Sequence, residues 1–213
     1  MAGSNILYGG LGNDTVQGGS GGDTIYGGSG INQIFGNDGN DAIYASAEGG
    51  LAAGGAGDDT VQGWDGDDTL FAGLGDDFIG GGAGNDLIVA GAGNNRIFGG
   101  LGDDRIFAGI GRDVMTGGPG ADVFVFTSAA SIGIAAGRDV ITDFETGTDD
   151  IDLRGLGQQF NGSAGFLGGG TASFFYFATG GLVIGDQNGD GVADWVIHLS
   201  NQPASIAAGD FLL

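Results

Sequence analysis

From Gly9 to Val125 the chain repeats every nine residues without one insertion or deletion. It begins GGLGNDTVQ GGSGGDTIY GGSGINQIF, and thirteen such nonapeptides follow a partial copy at Gly3 to Tyr8. An unbroken period of this kind excludes an unstructured glycine-rich linker and requires a fold in which each repeat occupies an equivalent place. With the glycine pair at positions 1 and 2, position 8 is apolar in all fourteen copies, from Leu7, Val16 and Ile25 through Ala52 to Ile106, Met115 and Phe124. Position 6 is Asp14, Asp23, Asp41, Asp59, Asp68, Asp77, Asp86, Asp104, Asp113 or Asp122, with Asn5, Asn32 and Asn95 as neutral variants and Gly50 as the exception.

Positions 7 to 9 predict a three-residue strand. Position 8 faces in while 7 and 9 face out, because successive side chains point to opposite faces. Positions 1 to 6 predict a turn rich in glycine, which reaches positive φ and permits close backbone approach. Two strands and two turns make a coil of eighteen residues, and stacked coils form two parallel sheets around a narrow aliphatic core. Six turn residues in nine leave no room for a helical solenoid. Turn n then lies against turn n+2 on the same edge. Each edge gathers main-chain carbonyls and one Asp carboxylate per turn, and hard oxygen ligands of this kind suit Ca²⁺. A column of carboxylates at coil spacing repels itself unless a cation sits between each pair. The alternative use of Asp at position 6 is an Asx-turn hydrogen bond.

Composition limits the partners. Glycine is 52 of the 213 residues, and the formal charge is −22. Only Glu48 and Glu145 are Glu; the basic residues are Arg96, Arg105, Arg112, Arg138 and Arg154, with no Lys. Such a chain disfavours nucleic acid and anionic membranes as partners and favours cations. No Cys is present, so disulfides and thiolate metal sites are not available, which fits an extracellular chain that does without them. No apolar run approaches the ~18 residues needed to span a bilayer, so stable membrane insertion is not expected. No basic-then-apolar signal peptide opens the sequence. Met1-Ala2 falls in mid-repeat, which reads as an excised fragment carrying an added start codon.

The nonapeptide GGxGxDxUx resembles the RTX calcium-binding repeat over roughly residues 3–126. The resemblance implies a right-handed parallel β-roll over 1–126 with one Ca²⁺ between successive turns on each edge. Position-6 Asp residues would bridge neighbouring sites. Carbonyls of the glycine turns would complete the shell: Gly10, Gly12, Gly19, Gly21, Gly55, Gly57, Gly73, Gly75, Gly82, Gly84, Gly100, Gly102, Gly118 and Gly120. The copy at Ala45–Ala53 lacks the first glycine pair and the Asp, so sites 32/50 and 50/68 should be weak or empty. Asn32 and Asn95 lower the charge of their sites. Six full Asp–Asp pairs remain, at 23/41, 41/59, 59/77, 68/86, 86/104 and 104/122.

After Phe126 the period stops, and 127–137 reads as a loop. DVITDF, DDIDL, SFFYFA, LVIGD, DWVIHL and DFLL then read as short, mostly antiparallel strands. The runs GRDVITDFETGTDDIDLRGL and DGVADWVIHLSNQPASIAAGDFLL resemble the C-terminal domain of serralysin-type secreted metalloproteases; related tails occur on bacterial lipases and alginate epimerases. The resemblance implies that 127–213 caps the roll and carries an uncleaved type I secretion signal ending in Asp210-Phe211-Leu212-Leu213. It also implies that type I secretion machinery and an upstream domain of the parent chain are partners. A local motif, Asp186, Asn188, Asp190 and Asp194, resembles an EF-hand or dockerin loop but lacks the final Glu and the flanking helices; a polar hairpin turn is the alternative.

Nothing in the chain reads as a catalyst. No HExxH signature occurs, and the single His, His198, lies within a strand. Gly18, Ser20 and Gly22 match G-x-S-x-G formally but sit inside the repeat, with no strand-to-helix turn and no His placed for them. Catalysis would belong to an upstream domain. Two readings therefore compete. One is a secreted, extracellular bacterial module that folds on calcium after export. The other is an adhesin or a glycan- or ice-binding module built on the same roll. A polyanionic glycan would want basic residues, and the outward Thr15, Thr24, Thr60 and Thr69 are too irregular for ice. Outward Tyr8, Tyr26 and Tyr44 on one sheet, and Phe35, Phe71 and Phe107 on the other, predict ladder stacking between coils; Phe78, Leu87, Val89 and Phe98 offer an alternative contact surface.

Overall fold

The structure, a computed structural model, describes residues 3–133, 137–167 and 169–213. Met1-Ala2 and residues 134–136 of the expected loop lie outside the described residues. Successive strands alternate between two parallel sheets. One receives β1 (Ile6–Leu11), β3 (Thr24–Ser29), β5 (Ala42–Tyr44), β7 (Thr60–Asp65), β9 (Phe78–Ala83), β11 (Arg96–Leu101) and β13 (Val114–Thr116). The other receives β2 (Thr15–Ser20), β4 (Asn32–Asp38), β6 (Gly50–Ala56), β8 (Asp68–Leu74), β10 (Leu87–Ala92), β12 (Arg105–Phe107) and β14 (Val123–Val125). Register follows the eighteen-residue coil: Ile25 sits between Leu7 and Ile43, and Ile88 between Leu70 and Ile106.

Position 8 forms the core. Ile25, Ile34, Ile43, Ala52, Val61, Leu70, Ile79, Ile88, Ile97, Ile106, Met115 and Phe124 are all 0% exposed. Each large aliphatic buried this way contributes ~1.5–3 kcal/mol. Leu7 and Val16, in the first two strands, are only partly covered. On the outer face Tyr8, Tyr26 and Tyr44 stack with centroids 5.2 and 5.1 Å apart and planes within 12°.

The strands are longer than three residues. Ten of the first fourteen run to six or seven, through the glycine pair into position 3, while β5, β12, β13 and β14 stop at three. Only positions 4 to 6 are left as the turn. Glycine at position 2 makes this possible. Gly100, at φ +126°, pairs with Gly82 so closely that a Cβ would overlap the Gly82 carbonyl. The chain bends there without leaving the ladder.

The ladders also continue past the last nonapeptide. β15 (Asp139–Ile141) adds in parallel to β13, and β16 (Asp150–Asp152) to β14. β21 (Phe211–Leu212) adds in parallel to β16. Antiparallel pairing is confined to β18 (Ser173–Phe177), β19 (Leu182–Asp186) and β20 (Trp195–Leu199), with β20 docked in parallel on β15 and β17 (Gln159–Phe160) in parallel on β18. Three of the six segments expected to be antiparallel thus extend the roll, because each carries an inward aliphatic or aromatic in step with the core: Ile141, Ile151 and Phe211. Phe174 joins the cap together, 4.8 Å from Phe211 and 6.0 Å from Trp195 between ring centroids.

Candidate metal centre

Stacking brings the position-6 side chains into two columns, one at each edge of the roll. One column runs Asn5, Asp23, Asp41, Asp59, Asp77, Asn95 and Asp113; the other runs Asp14, Asn32, then Gly50 with no side chain, then Asp68, Asp86, Asp104 and Asp122. A single bond recurs along them: the backbone N–H of one member donates to Oδ1 of the member eighteen residues on. The Asp23 N–H donates to Asp41 at 2.7 Å, Asp41 to Asp59 at 2.7 Å, Asp59 to Asp77 at 2.8 Å, and Asp77 to Asn95 at 3.0 Å. On the other edge Asp14 donates to Asn32 at 2.9 Å, Asp68 to Asp86 at 2.8 Å, Asp86 to Asp104 at 2.9 Å and Asp104 to Asp122 at 2.9 Å. The Asx-type bond and the column are therefore the same feature, with each carboxylate reaching into the neighbouring coil.

The second oxygen is what matters for a cation. Oδ2 of Asp14, Asp23, Asp41, Asp59, Asp68, Asp77, Asp86, Asp104, Asp113 and Asp122 is buried and has no hydrogen-bond partner among the described residues. Leaving a buried carboxylate oxygen unpaired costs several kcal/mol. Coils lie about 4.8 Å apart. Two carboxylates at that spacing repel by about 3–4 kcal/mol at an effective dielectric of 20. The buried oxygens can be relieved by protons or by a cation. Burial, with neighbouring carboxylates adding, pushes Asp59, Asp68 and Asp104 up to about 7 and Asp77, Asp86 and Asp122 up to about 6. Burial likewise raises Asp41. A divalent ion removes the same penalty without protonation.

The donor set fits Ca²⁺. No three His, Cys, Asp or Glu side chains converge among the described residues, so carboxylates alone cannot form a shell. Most oxygens must come from the main chain of the glycine turns, as a hard, high-coordination ion allows. Gly12, Gly21, Gly57, Gly75, Gly84, Gly102 and Gly120 all sit at positive φ in those turns, as do Gly10, Gly19, Gly55, Gly73, Gly82 and Gly118 at position 2. At Gly50 the column is interrupted. Ser46 Oγ there donates to the Gly49 carbonyl at 3.1 Å, and Glu48 accepts the Gly30 N–H at 3.1 Å.

Several residues were not legible as part of this arrangement. Position 5 forms a second, exposed column that points the other way: Asn40 accepts the Asp58 N–H at 3.1 Å, Asp58 that of Asp76 at 2.9 Å, and Asp76 that of Asn94 at 2.7 Å. Beyond the repeat, Asp143 accepts the Gly117 and Gly118 N–H groups at 3.0 and 2.9 Å. Asp152 ties the roll to the cap, 2.9 Å from Arg105 and 2.5 Å from Arg154. The hydrogen bonds from Arg154 hold its carboxyl down at about 2.

The loop at 186–194 is a hairpin between β19 and β20. Asp186 accepts the Gly189 and Gly191 N–H groups at 2.6 and 2.7 Å, Asn188 that of Asp190 at 2.8 Å, Asp190 that of Val192 at 2.8 Å, and Asp194 that of Gln187 at 2.7 Å. Backbone donors thus shape the turn. Ser20 ends β2, the first strand of one sheet, and His198 lies in β20 of the other sheet, beyond its last repeat strand, so these two residues form no Ser–His pair.

A family model for the RTX calcium-binding nonapeptide repeat matches residues 1–34, 17–48, 51–79, 80–115 and 99–126. The matches leave out 49–50, where the column is interrupted. Two solved structures are similar, both subunits of a mannuronan C5-epimerase from Azotobacter vinelandii. The R3 subunit is 29% identical over 68% of this chain and 77% of its own, with a TM-score of 0.35. The R2 subunit is 24% identical over 76% and 91%, with a TM-score of 0.43. No curated protein matches the chain.

Proposed function

The chain belongs to the RTX calcium-binding nonapeptide repeat family, and from that premise we propose that it is the C-terminal export and folding module of a larger type I-secreted bacterial protein. Calcium between stacked turns supplies the charge that the carboxylate columns need. The observation that carries the reading is the run of buried, unpartnered Oδ2 atoms along both edges. Asp23, Asp41, Asp59, Asp77, Asp68, Asp86, Asp104 and Asp122 would hold at least six ions, with glycine-turn carbonyls as the remaining ligands. Asn32 and Asn95 would serve weaker positions.

Repeat sites of the weak extracellular class, with Kd ~10⁻⁴–10⁻³ M, stay empty at submicromolar calcium. The charge of −22 then keeps the chain expanded, as threading through an exporter requires. In millimolar calcium outside the cell the columns are neutralised and the coils stack. Residues 127–213 would emerge first and offer Ile141 and Ile151 as the surface on which the roll grows. The place of the last four residues supports this order. Asp210 is 4% and Phe211 5% exposed. Asp210 accepts the Gly147 and Ala207 N–H groups at 2.8 and 2.6 Å, and Phe211 pairs with Ile151. Machinery that reads this terminus must meet it before the chain folds.

The test is a fusion of 1–213 to a slow-folding passenger in a strain carrying a type I exporter. Removing Asp210–Leu213 is expected to abolish secretion of the fusion. Equal secretion of intact and truncated fusions would contradict the export role and favour a ligand-binding module.

A further inference from the structure

We infer that each calcium column runs one position beyond the last nonapeptide, where Asp139 completes a position with Asp113 and Asp149 completes one with Asp122. The inference rests on the calcium reading above and assigns ligands outside the repeat. The bond that defines the columns recurs at both places. The Asp113 N–H donates to Asp139 Oδ1 at 2.8 Å, and the Asp122 N–H to Asp149 Oδ1 at 3.1 Å. Asp113 and Asp139 are both 0% exposed, and Oδ2 of each is buried without a hydrogen-bond partner. Asp122 is also 0% exposed, with its Oδ2 in the same condition. The strands that follow stay in register: Met115 pairs with Ile141, and Phe124 with Ile151.

The two positions differ in their surroundings. Asp149 is anchored twice, since its Oδ2 accepts the Glu145 N–H at 2.8 Å, and Asp143 lies beside the same turn through its bonds to Gly117 and Gly118. Negative charge is therefore concentrated there. At the other edge the buried Asp139 lies against the Asp113 carboxylate, with the Arg112 guanidinium acting on it as well. A divalent ion answers both cases, because in each a buried carboxylate oxygen faces a second carboxylate.

Asp139 also sets a link between roll and cap. It opens β15, which pairs with β13 on one side and β20 on the other, with Asp139 opposite Ile197. A ligand that orders Asp139 orders the strand on which the antiparallel sheet and the buried Trp195 rest. Filling the 113/139 position thus couples the cap to the calcium state of the roll.

The full chain in a Trp64→Phe background reports on Trp195 alone. Calcium is counted by equilibrium dialysis, and the calcium midpoint is read from Trp195 fluorescence. The variant with Asp139→Ala and Asp149→Ala is expected to bind two ions fewer, with the Trp195 transition moved to several-fold higher calcium. Should that variant fail to fold in excess calcium, Asp139→Asn with Asp149→Asn replaces it. Asn keeps the oxygen that accepts the amide, as Asn32 and Asn95 do, and here too the midpoint is expected to rise several-fold. A folded variant with unchanged count and midpoint would overturn the inference. Asp86→Ala separates the failures: if it loses ions while the junction variant does not, only the junction assignment falls. A wild-type chain that binds no calcium removes the reading on which it rests.

Discussion

At the scale of single residues, the two edges of the roll are made of equivalent parts that carry unequal loads. Asp77 lies between Asp59 and Asn95 and holds both through backbone bonds of 2.8 and 3.0 Å. Asn32 accepts the Asp14 N–H at 2.9 Å, but its other neighbour in the column is Gly50, which offers no side chain. Asp77→Ala should therefore remove two ions and, by orphaning the buried Asp59 N–H, cost about 1–3 kcal/mol. Asn32→Ala should leave the calcium count nearly intact. Calorimetric titration of both variants checks this, and equal stoichiometries would contradict the register. Trp64 is a different case. It stands at position 2, where most copies have glycine, with φ +82° and its side chain 59% exposed. A bulky residue in that conformation is strained by roughly 1 kcal/mol or more. Trp64→Gly is expected to raise stability in calcium by about 0.5–1 kcal/mol, seen as a higher unfolding midpoint in urea; a lower midpoint would show that the indole makes a compensating contact.

Among the elements, the carboxylate columns determine how the metal-free protein responds to pH. Burial raises Asp59, Asp68 and Asp104 to about 7 and Asp139 to about 8. The folded, metal-free roll thus holds protons that the unfolded chain, with ordinary carboxylates, has released. This contribution to stability is fully present below pH ~4 and is lost as pH rises through 7 to 8. In chelator, β-sheet content by circular dichroism should be greater at pH 5 than at pH 8, and calcium should restore it at pH 8. The same content at both pH values would show that the columns are not strained by charge. The columns and the inward aliphatics were legible because they recur at fixed spacing and interchange only with like residues. Strand length was not. Glycine is a poor strand former, and at positions 1 and 2 it hides strand that the Gly82–Gly100 pairing reveals. Asp139 and Asp149 were hidden for another reason, since their offsets from Asp113 and Asp122 are 26 and 27 rather than 18. What survives at both is the short pattern of Asp, any residue, then Ile, as in Asp139 to Ile141 and Asp149 to Ile151.

For the molecule as a whole, sequence patterning predicted the two-sheet roll but not how its C-terminal part joins it. Short runs such as DDIDL and DFLL carry no period that distinguishes parallel from antiparallel pairing. They become parallel because Ile151 and Phe211 extend an existing hydrophobic stack. Roll and cap consequently share both sheets, and Asp152 with Arg105 and Arg154 fastens them on the outside. Six ions would bring +12 against a charge of −22, so more than half of the self-repulsion is removed when they bind. At about ten times Kd each ion adds ~1.4 kcal/mol, and six add ~8 kcal/mol, comparable to the ~5–15 kcal/mol stability of an ordinary domain. On the proposed reading, calcium is then the difference between an unfolded and a folded chain. Far-UV circular dichroism of the full chain at neutral pH, first in excess EGTA and then in millimolar calcium, decides the matter. A disordered spectrum in EGTA that becomes β-rich on adding calcium is predicted, whereas a β-rich spectrum unchanged by EGTA would contradict calcium-driven folding.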